Sequence, residues 1–179
     1  DFSGMFENSS AFNQDISEWD VSNGTDFSAM FLISEGASIF NQDISEWDVS
    51  NGNDFSRMIY GSEVFNQDIR NWDVSNVVNM FNMFQHADSF NQPIGIWNVS
   101  NVTDMSRMFF GAMRFNQDIS DWNTSNLIYM TFMFTGTRSF NQPLNTVGDN
   151  WNVSRVTDMS SMFEHEYDLN VNKSDYNTS

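Results

Sequence analysis

The chain has 179 residues, with 24 acidic against 7 basic side chains, a formal charge of −17 and no cysteine. Such a balance excludes a nucleic-acid partner, whose phosphates are bound by Lys and Arg displacing counterions, and sets the chain against an anionic membrane surface. The lack of cysteine excludes disulfides, thiolate metal sites and cysteine nucleophiles, while 40% hydrophobic and 16% aromatic content is too rich for a disordered polymer, so a packed core follows.

The chain opens at Asp1 with neither an initiator Met nor a signal peptide, which reads as a mature or trimmed segment. Its first stretch, DFSGMFENSSAFNQ, matches only the second half of a unit seen complete further on, so a longer parent chain is expected (compare DFSAMF at 26–31). At Phe12 to Gly24 stands FNQDISEWDVSNG, repeated letter for letter at Phe40 to Gly52. Phe-Asn-Gln returns at Phe65, Phe90, Phe115 and Phe140, giving steps of 28, 25, 25, 25 and 25 residues. All six tryptophans hold one phase of that period, Trp19, Trp47, Trp72, Trp97, Trp122 and Trp151; Met5, Met30, Met58, Met83, Met108, Met133 and Met162 hold another. A period of this length marks stacked units, none of which can bury its apolar face alone.

The period predicts a single elongated domain, a mainly β repeat solenoid over 1–163 of about six to seven coils, the first incomplete, with 164–179 as a degenerate coil or C-terminal cap. Within a unit we expect an extended segment over Phe-Asn-Gln-Asp-Ile-Ser and a turn around Trp-Asp-Val-Ser-Asn. A second extended segment over Asn-Val-Thr-Asp-Met and a short helical turn near Met-Phe-x-x-Ala complete it. Three extra residues near Leu32 to Ser38, and four more between Leu144 and Trp151, are expected to bulge from a rim without shifting the ladders. Phe, Ile, Trp, Val and Met columns would face inward, with Met as adaptable filler among aromatics. The Asn column Asn13, Asn41, Asn66, Asn91, Asn116 and Asn141 is expected to bond the backbone of neighbouring coils.

Aspartates also stand in columns: Asp15, Asp43, Asp68 and Asp118; Asp20, Asp48 and Asp73; Asp26, Asp54, Asp104 and Asp158. Stacked like charges either fan into water or are bridged by a hard cation, which makes Asp15, Asp43 and Asp68 candidate calcium ligands and calcium the only cofactor to consider. No EF-hand or glycine-rich calcium motif accompanies them. Asn-x-Ser/Thr acceptors occur at Asn8, Asn23, Asn98, Asn101, Asn123, Asn152, Asn172 and Asn177 and are candidate glycosylation sites, alternatively an accident of the repeat composition. The only histidines, His86 and His165, lie in a variable segment and in the irregular tail, and no phosphate loop occurs, so no catalytic residue is assigned and no enzyme is expected.

FNQDIS, the WDVSNVTDMSxMF pattern (NVTDMSRMF at Asn101 to Phe109) and the Ala-x-x-Phe join resemble the repeats of about 25 residues in BspA-like proteins and in Mycoplasma and Listeria lipoproteins, distant relatives of leucine-rich repeats. The tail after Phe163 departs from them, with Leu169-Asn170 where Phe-Asn belongs. That resemblance implies leucine-rich-repeat-like coils and a secreted or surface-displayed protein with adhesion or binding roles and no defined catalytic residues. The expected function is a non-enzymatic extracellular or cell-surface spacer or adhesion and recognition surface, with protein or carbohydrate ligands. The alternative is a filament, sheath or virion-surface subunit that binds copies of itself end to end. No apolar run reaches the roughly 18 residues of a membrane span, so direct membrane insertion is not expected.

Overall fold

The computed structural model describes residues 1–144 and 150–164. The expected cap or tail beyond Glu164, including Leu169-Asn170, and most of the second insertion lie outside the described residues.

Successive repeats lie side by side in register. Isolated parallel bridges join Asp26 to Asp54, Asp54 to Asn79, Asn79 to Asp104, Asp104 to Tyr129, and Tyr129 to Asp158, one repeat apart each time. The expectation of a mainly β, leucine-rich-repeat-like solenoid with short helical turns is not met. Among the described residues there is no helix, strand character is confined to those single-residue bridges, and turns and irregular backbone make up the rest.

Two physical causes account for the difference. Around the segment expected to carry a helical turn the backbone turns left-handed once or twice per repeat: Gly4, Ala29, Arg57, Asn82, Arg107, Phe132 and Ser161 all have φ between 53° and 59°, and Asn8, Gly61, His86, Gly111 and Gly136 follow four residues on with φ between 56° and 69°. A left-handed L-residue cannot continue a right-handed helix. It forms instead the third position of a reverse turn, as when the Met30 amide donates to the Phe27 carbonyl at 3.3 Å and the Ser28 amide to Asp26 Oδ1 at 2.9 Å. Alternate amides are thereby consumed within the turn, and only every second one reaches the next repeat: Phe27, Ala29, Phe31 and Ile33 donate to Asp54, Ser56, Met58 and Tyr60. A strand ladder needs donors and acceptors alternating on both flanks of the chain; here amides donate back to the preceding repeat at the bridges, as Val78 does to Asn53 and Thr103 to Val78, and through the turns that follow they donate only forward, so the ladder stops after one rung.

At Phe-Asn-Gln, where an extended strand was expected, side chains replace the backbone ladder. Asn66 N–H donates to Asn41 Oδ1 at 2.9 Å and Gln67 Nε2 to the Asn41 carbonyl at 2.8 Å. The same pair of bonds recurs from Asn13–Asn41 through Asn116–Asn141. The Asn column is therefore structural, as its sequence suggested, and the Gln column joins it. Each indole from Trp47 onward donates Nε1–H to the Ile carbonyl of the preceding repeat, from Trp47 to Ile16 (3.0 Å) through Trp151 to Ile119 (2.7 Å). These bonds satisfy the polar handle that makes a buried Trp costly.

The core between these columns is apolar and aromatic. Phe12, Phe40, Phe65, Phe90, Phe115 and Phe140 stack in one file with centroids 5.9–6.2 Å apart. A second file, including Phe84, Phe109, Phe134 and Phe163, runs beside it, and Phe84 meets Phe90 face to face at 4.0 Å. From Met30 to Met133 the methionine column is buried, as are Ile44 to Ile119 and Val49 to Val99 in their own columns. The first insertion behaves as expected: 34–37 are exposed while Phe31 and Phe40 stay stacked across it at 4.0 Å. Gly61 shows why an outer turn position demands glycine, since its φ is 69° and a Cβ there would strike the Ile33 carbonyl.

Replacing Trp97 by Phe removes the indole bond to the Ile69 carbonyl, which keeps the Trp72 amide, and should cost about 0.5–1.5 kcal/mol for the lost bond. The same change at Trp19, 40% exposed, should cost under about 0.5 kcal/mol. Urea unfolding of the two variants checks the difference.

Candidate functional site

The aspartate columns are turn-formers. Asp15, Asp43, Asp68 and Asp118 each accept, through Oδ1, the amide two residues on, at 2.9–3.1 Å. Asp20, Asp48 and Asp73 do the same for Ser22, Ser50 and Ser75, and Asn98, Asn123 and Asn152 take over that role in later repeats. Asp26, Asp54, Asp104 and Asp158 form the third such column. A carboxylate fits here because its oxygen supplies the acceptor that closes the turn.

Hydrogen bonds from the following serine hold the Asp15, Asp20, Asp48, Asp73, Asp118 and Asp158 carboxyls below their usual range. In Asp68 the Arg70 side chain does so, in a 2.8 Å ion pair. The calcium candidates Asp15, Asp43 and Asp68 lie in one column, yet no three His, Asp or Glu side chains converge as a metal site among the described residues.

The sequons separate by the use of their amide nitrogen. Asn98 and Asn123 are exposed and engage their Oδ1 in the turn. Asn101 is exposed too, but its Nδ2 donates to the Ser75 carbonyl at 2.7 Å, one rung of a ladder with Asn51, Asn76 and Asn126. Asn8, left-handed at φ 56°, accepts the Ser34 amide, Asn23 is exposed, and Asn152 is half-buried. Asn172, Asn177 and His165 lie outside the described residues.

What the repeat leaves free is a band on the outside of the left-handed turns. Its positions are the left-handed residue and the one three further on, with their neighbours. In the central repeats these are Arg57 and Tyr60, Phe81 and His86, Arg107 and Phe110, then Phe132; Arg57 is exposed and the others half-buried. Arg57 lies over the Phe81 ring at 5.1 Å and Arg107 over Phe132 at 5.0 Å. His86 meets Tyr60 and Phe110 edge-on, at 6.2 and 5.4 Å, and Gly111 beside it (φ 68°) has no room for a Cβ against the imidazole. Asn82 and Gln85, beneath the band, leave Oδ1 and Oε1 buried without hydrogen-bond partners.

Tyr60, His86 and Phe110 lie in the segments YGSEV, QHADS and FGAMR, which differ from repeat to repeat. The sequence does not mark Arg57, Arg107 and Phe132, whose outward direction depends on a left-handed backbone that no residue type there announces. Next to the band, burial and the Glu63 charge push the Asp88 carboxyl up, against the pull of His86, Arg114 and Arg138.

A family model described as "Mycoplasma protein of unknown function, DUF285" matches residues 1–96 and again 80–179, so between them the two matches span the chain. The chain belongs to that family. DUF285 is the family of BspA-like Mycoplasma and Listeria repeat proteins, which agrees with the motifs from FNQDIS to NVTDMSRMF. Comparison of this DUF285 chain with curated proteins and with solved structures gave no significant match. No helix among the described residues is long and apolar enough to cross a membrane.

Because the turn carboxyls have depressed folded-state pKa values, their contribution to stability is fully present above the unfolded value near 3.9. It is lost as pH falls through the lower folded-state value. Urea midpoints should therefore fall between about pH 4 and pH 2, and the double variant Asp48→Asn/Asp73→Asn, which keeps both turns, should flatten that fall. An unchanged profile in the variant would show that these turns do not set the acid limit.

Proposed function

We propose that this DUF285 chain is a non-enzymatic extracellular or cell-surface protein whose stacked repeats display a recognition surface. The observation that carries this reading is a division of labour among the side chains. The columns that recur from repeat to repeat, Phe, Asn, Gln, Trp, Met and the turn-forming Asp or Asn, are occupied in holding neighbours or closing turns. The positions that vary, at Arg57, Tyr60, His86, Arg107, Phe110 and Phe132, face outward. Packing does not require aromatic or cationic side chains there, and such residues dominate binding energy where proteins meet partners.

Strain strengthens the argument. Glycine is the least costly residue at φ near +55°, and a larger one costs about 1–2 kcal/mol. Yet Gly4 alone uses it, and of the six others in that column Arg57, Arg107 and Phe132 carry large side chains to the surface. Conformational cost carried for side chains that the core does not need is a mark of function.

Head-to-tail self-assembly is the second reading. What favours it is the polarity of the stack: amides such as Arg57 and Ile59 donate toward the following repeat while indoles and Gln side chains donate toward the preceding one. A second copy can continue that pattern only in the same orientation, a heterologous contact that extends without closing.

Fluorescently labelled protein should bind animal cells or an extracellular-matrix coating saturably. Tyr60→Ala/His86→Ala/Phe110→Ala should lose about tenfold or more of that binding, and Asp48→Asn none. Equal binding by all three proteins, or none by the parent, refutes the recognition surface. Sedimentation velocity tests the second reading, because assembly predicts boundaries that lengthen with concentration and a fixed single species contradicts it.

A further inference from the structure

We propose that the band binds an acidic glycan, a linear sugar chain bearing carboxylates, through the guanidinium groups of Arg57 and Arg107 and the rings alongside them. This rests on the recognition reading above and names its ligand class.

The charge pattern comes first. The chain carries only 7 basic residues against 24 acidic ones, yet two of the seven stand in one band, two repeats apart. Neither pairs with a carboxylate; the ion pair found among the described residues is Arg70 with Asp68. Each guanidinium has a ring beneath it, Phe81 or Phe132, at 5.0–5.1 Å. Stacking occupies the face of the guanidinium and leaves its in-plane N–H fork, the part that binds a carboxylate in bidentate fashion. An unpaired cation resting over a ring is preorganised for an anion, since some of its rotamer freedom is already lost.

Spacing comes second. Neighbouring parallel chains lie roughly 4.8 Å apart, so the two forks stand about 10 Å from each other along the stack. In their column Asn82 stands between them, with the Phe81 ring beside it under Arg57, while His86, four residues on, stands edge-on to Tyr60 and to Phe110. Two anion-binding forks with rings alongside match a chain whose charges alternate with units that present flat C–H faces. A glycan with an acid on every second sugar has that form.

The backbone argues against an acidic peptide. An extended peptide gains affinity by adding a strand to a free edge. Along this band the amides are taken: Arg57, Ile59 and Gly61 donate to the next repeat, while Met58 and Tyr60 close turns. A ligand here has side chains alone to hold it, which suits a sugar chain better than a main chain that needs partners for its own N–H and C=O groups. The net charge of −17 opposes an anion; screening over about 8 Å at physiological ionic strength removes its distant part, so the two guanidinium groups act against the carboxylates beside the band, Glu63 and Asp88.

The left-handed backbone offers a clean test. Arg57→Gly/Arg107→Gly removes both forks and relieves strain at φ 58° and 56°, so the variant should melt no lower than the parent. Calorimetric titration at about 0.15 M salt would use hyaluronan oligosaccharides, a heparin oligosaccharide, neutral dextran and poly-glutamate. Hyaluronan should bind, with heparin reporting whether sulfate substitutes for carboxylate, and the double variant should lose at least tenfold in affinity. Dextran and poly-glutamate should bind at least tenfold more weakly than hyaluronan. Unchanged affinity in the folded double variant, poly-glutamate equal to the glycan, or no binding of either glycan overturns the proposal. If cells still bind in the adhesion assay after any of those results, the recognition surface stands and only the ligand class falls.

Discussion

The structure depends on one bond repeated: a side-chain donor or acceptor reaching across to the backbone of the identical residue's neighbourhood one repeat away. Asn Oδ1 takes the next repeat's amide, Gln Nε2 and Trp Nε1 reach back to the preceding repeat's carbonyls, and Asn Nδ2 does so at the corner from Asn51 to Asn126. Each such bond fixes register, because a slip of one residue leaves every amide and indole without its partner. It also lets a chain with almost no conventional secondary structure bury a core, since side chains satisfy the polar groups that the backbone bonds between repeats, such as Phe27 to Asp54, leave over.

Register then determines the interior. Like residues must touch like residues, so each core position has to tolerate itself as a neighbour. Phe does so by offset stacking at about 6 Å and Met by flexibility, while Ile and Val pack in plain columns. Aspartate tolerates itself less well, since like charges stacked one repeat apart repel. The columns survive because each carboxylate is tied to its own turn and fans into solvent, and because Asn can substitute where charge is not needed, as at Asn98, Asn123 and Asn152. A large negative charge is thus a by-product of turn chemistry, and its meaning for partners lies in the few places where it is interrupted by cations.

Much of this was legible in the sequence, and the limits are instructive. Phase alone identified which residues touch: the Trp, Phe and Met columns, the Asn ladder and the outward bulge near Gly36 all follow from counting 25 or 28 residues. Local conformation did not follow. Val-Thr-Asp-Met has the alternation of a strand, and Met-Phe-x-x-Ala the spacing of a helical turn, but the chain adopts neither. The left-handed residue between them is Gly once and Ala, Arg, Asn, Phe or Ser in the other six cases, so the usual signal for such a backbone is missing. For the same reason the outer band escaped notice at Arg57, Arg107 and Phe132, whereas Tyr60, His86 and Phe110 fell in segments already marked by their variability. The aspartate columns were visible, but their turn-closing bonds were not, because spacing alone does not tell which backbone amide a carboxylate accepts.

Hydrogen exchange of the six indole N–H groups, followed by NMR at neutral pH, tests the register bond most directly. The account predicts slow exchange at Trp47, Trp72, Trp97, Trp122 and Trp151, each bonded to an Ile carbonyl one repeat back, and fast exchange at the half-exposed Trp19. Six indoles exchanging at one common rate, or protection at Trp19 equal to the rest, would contradict it.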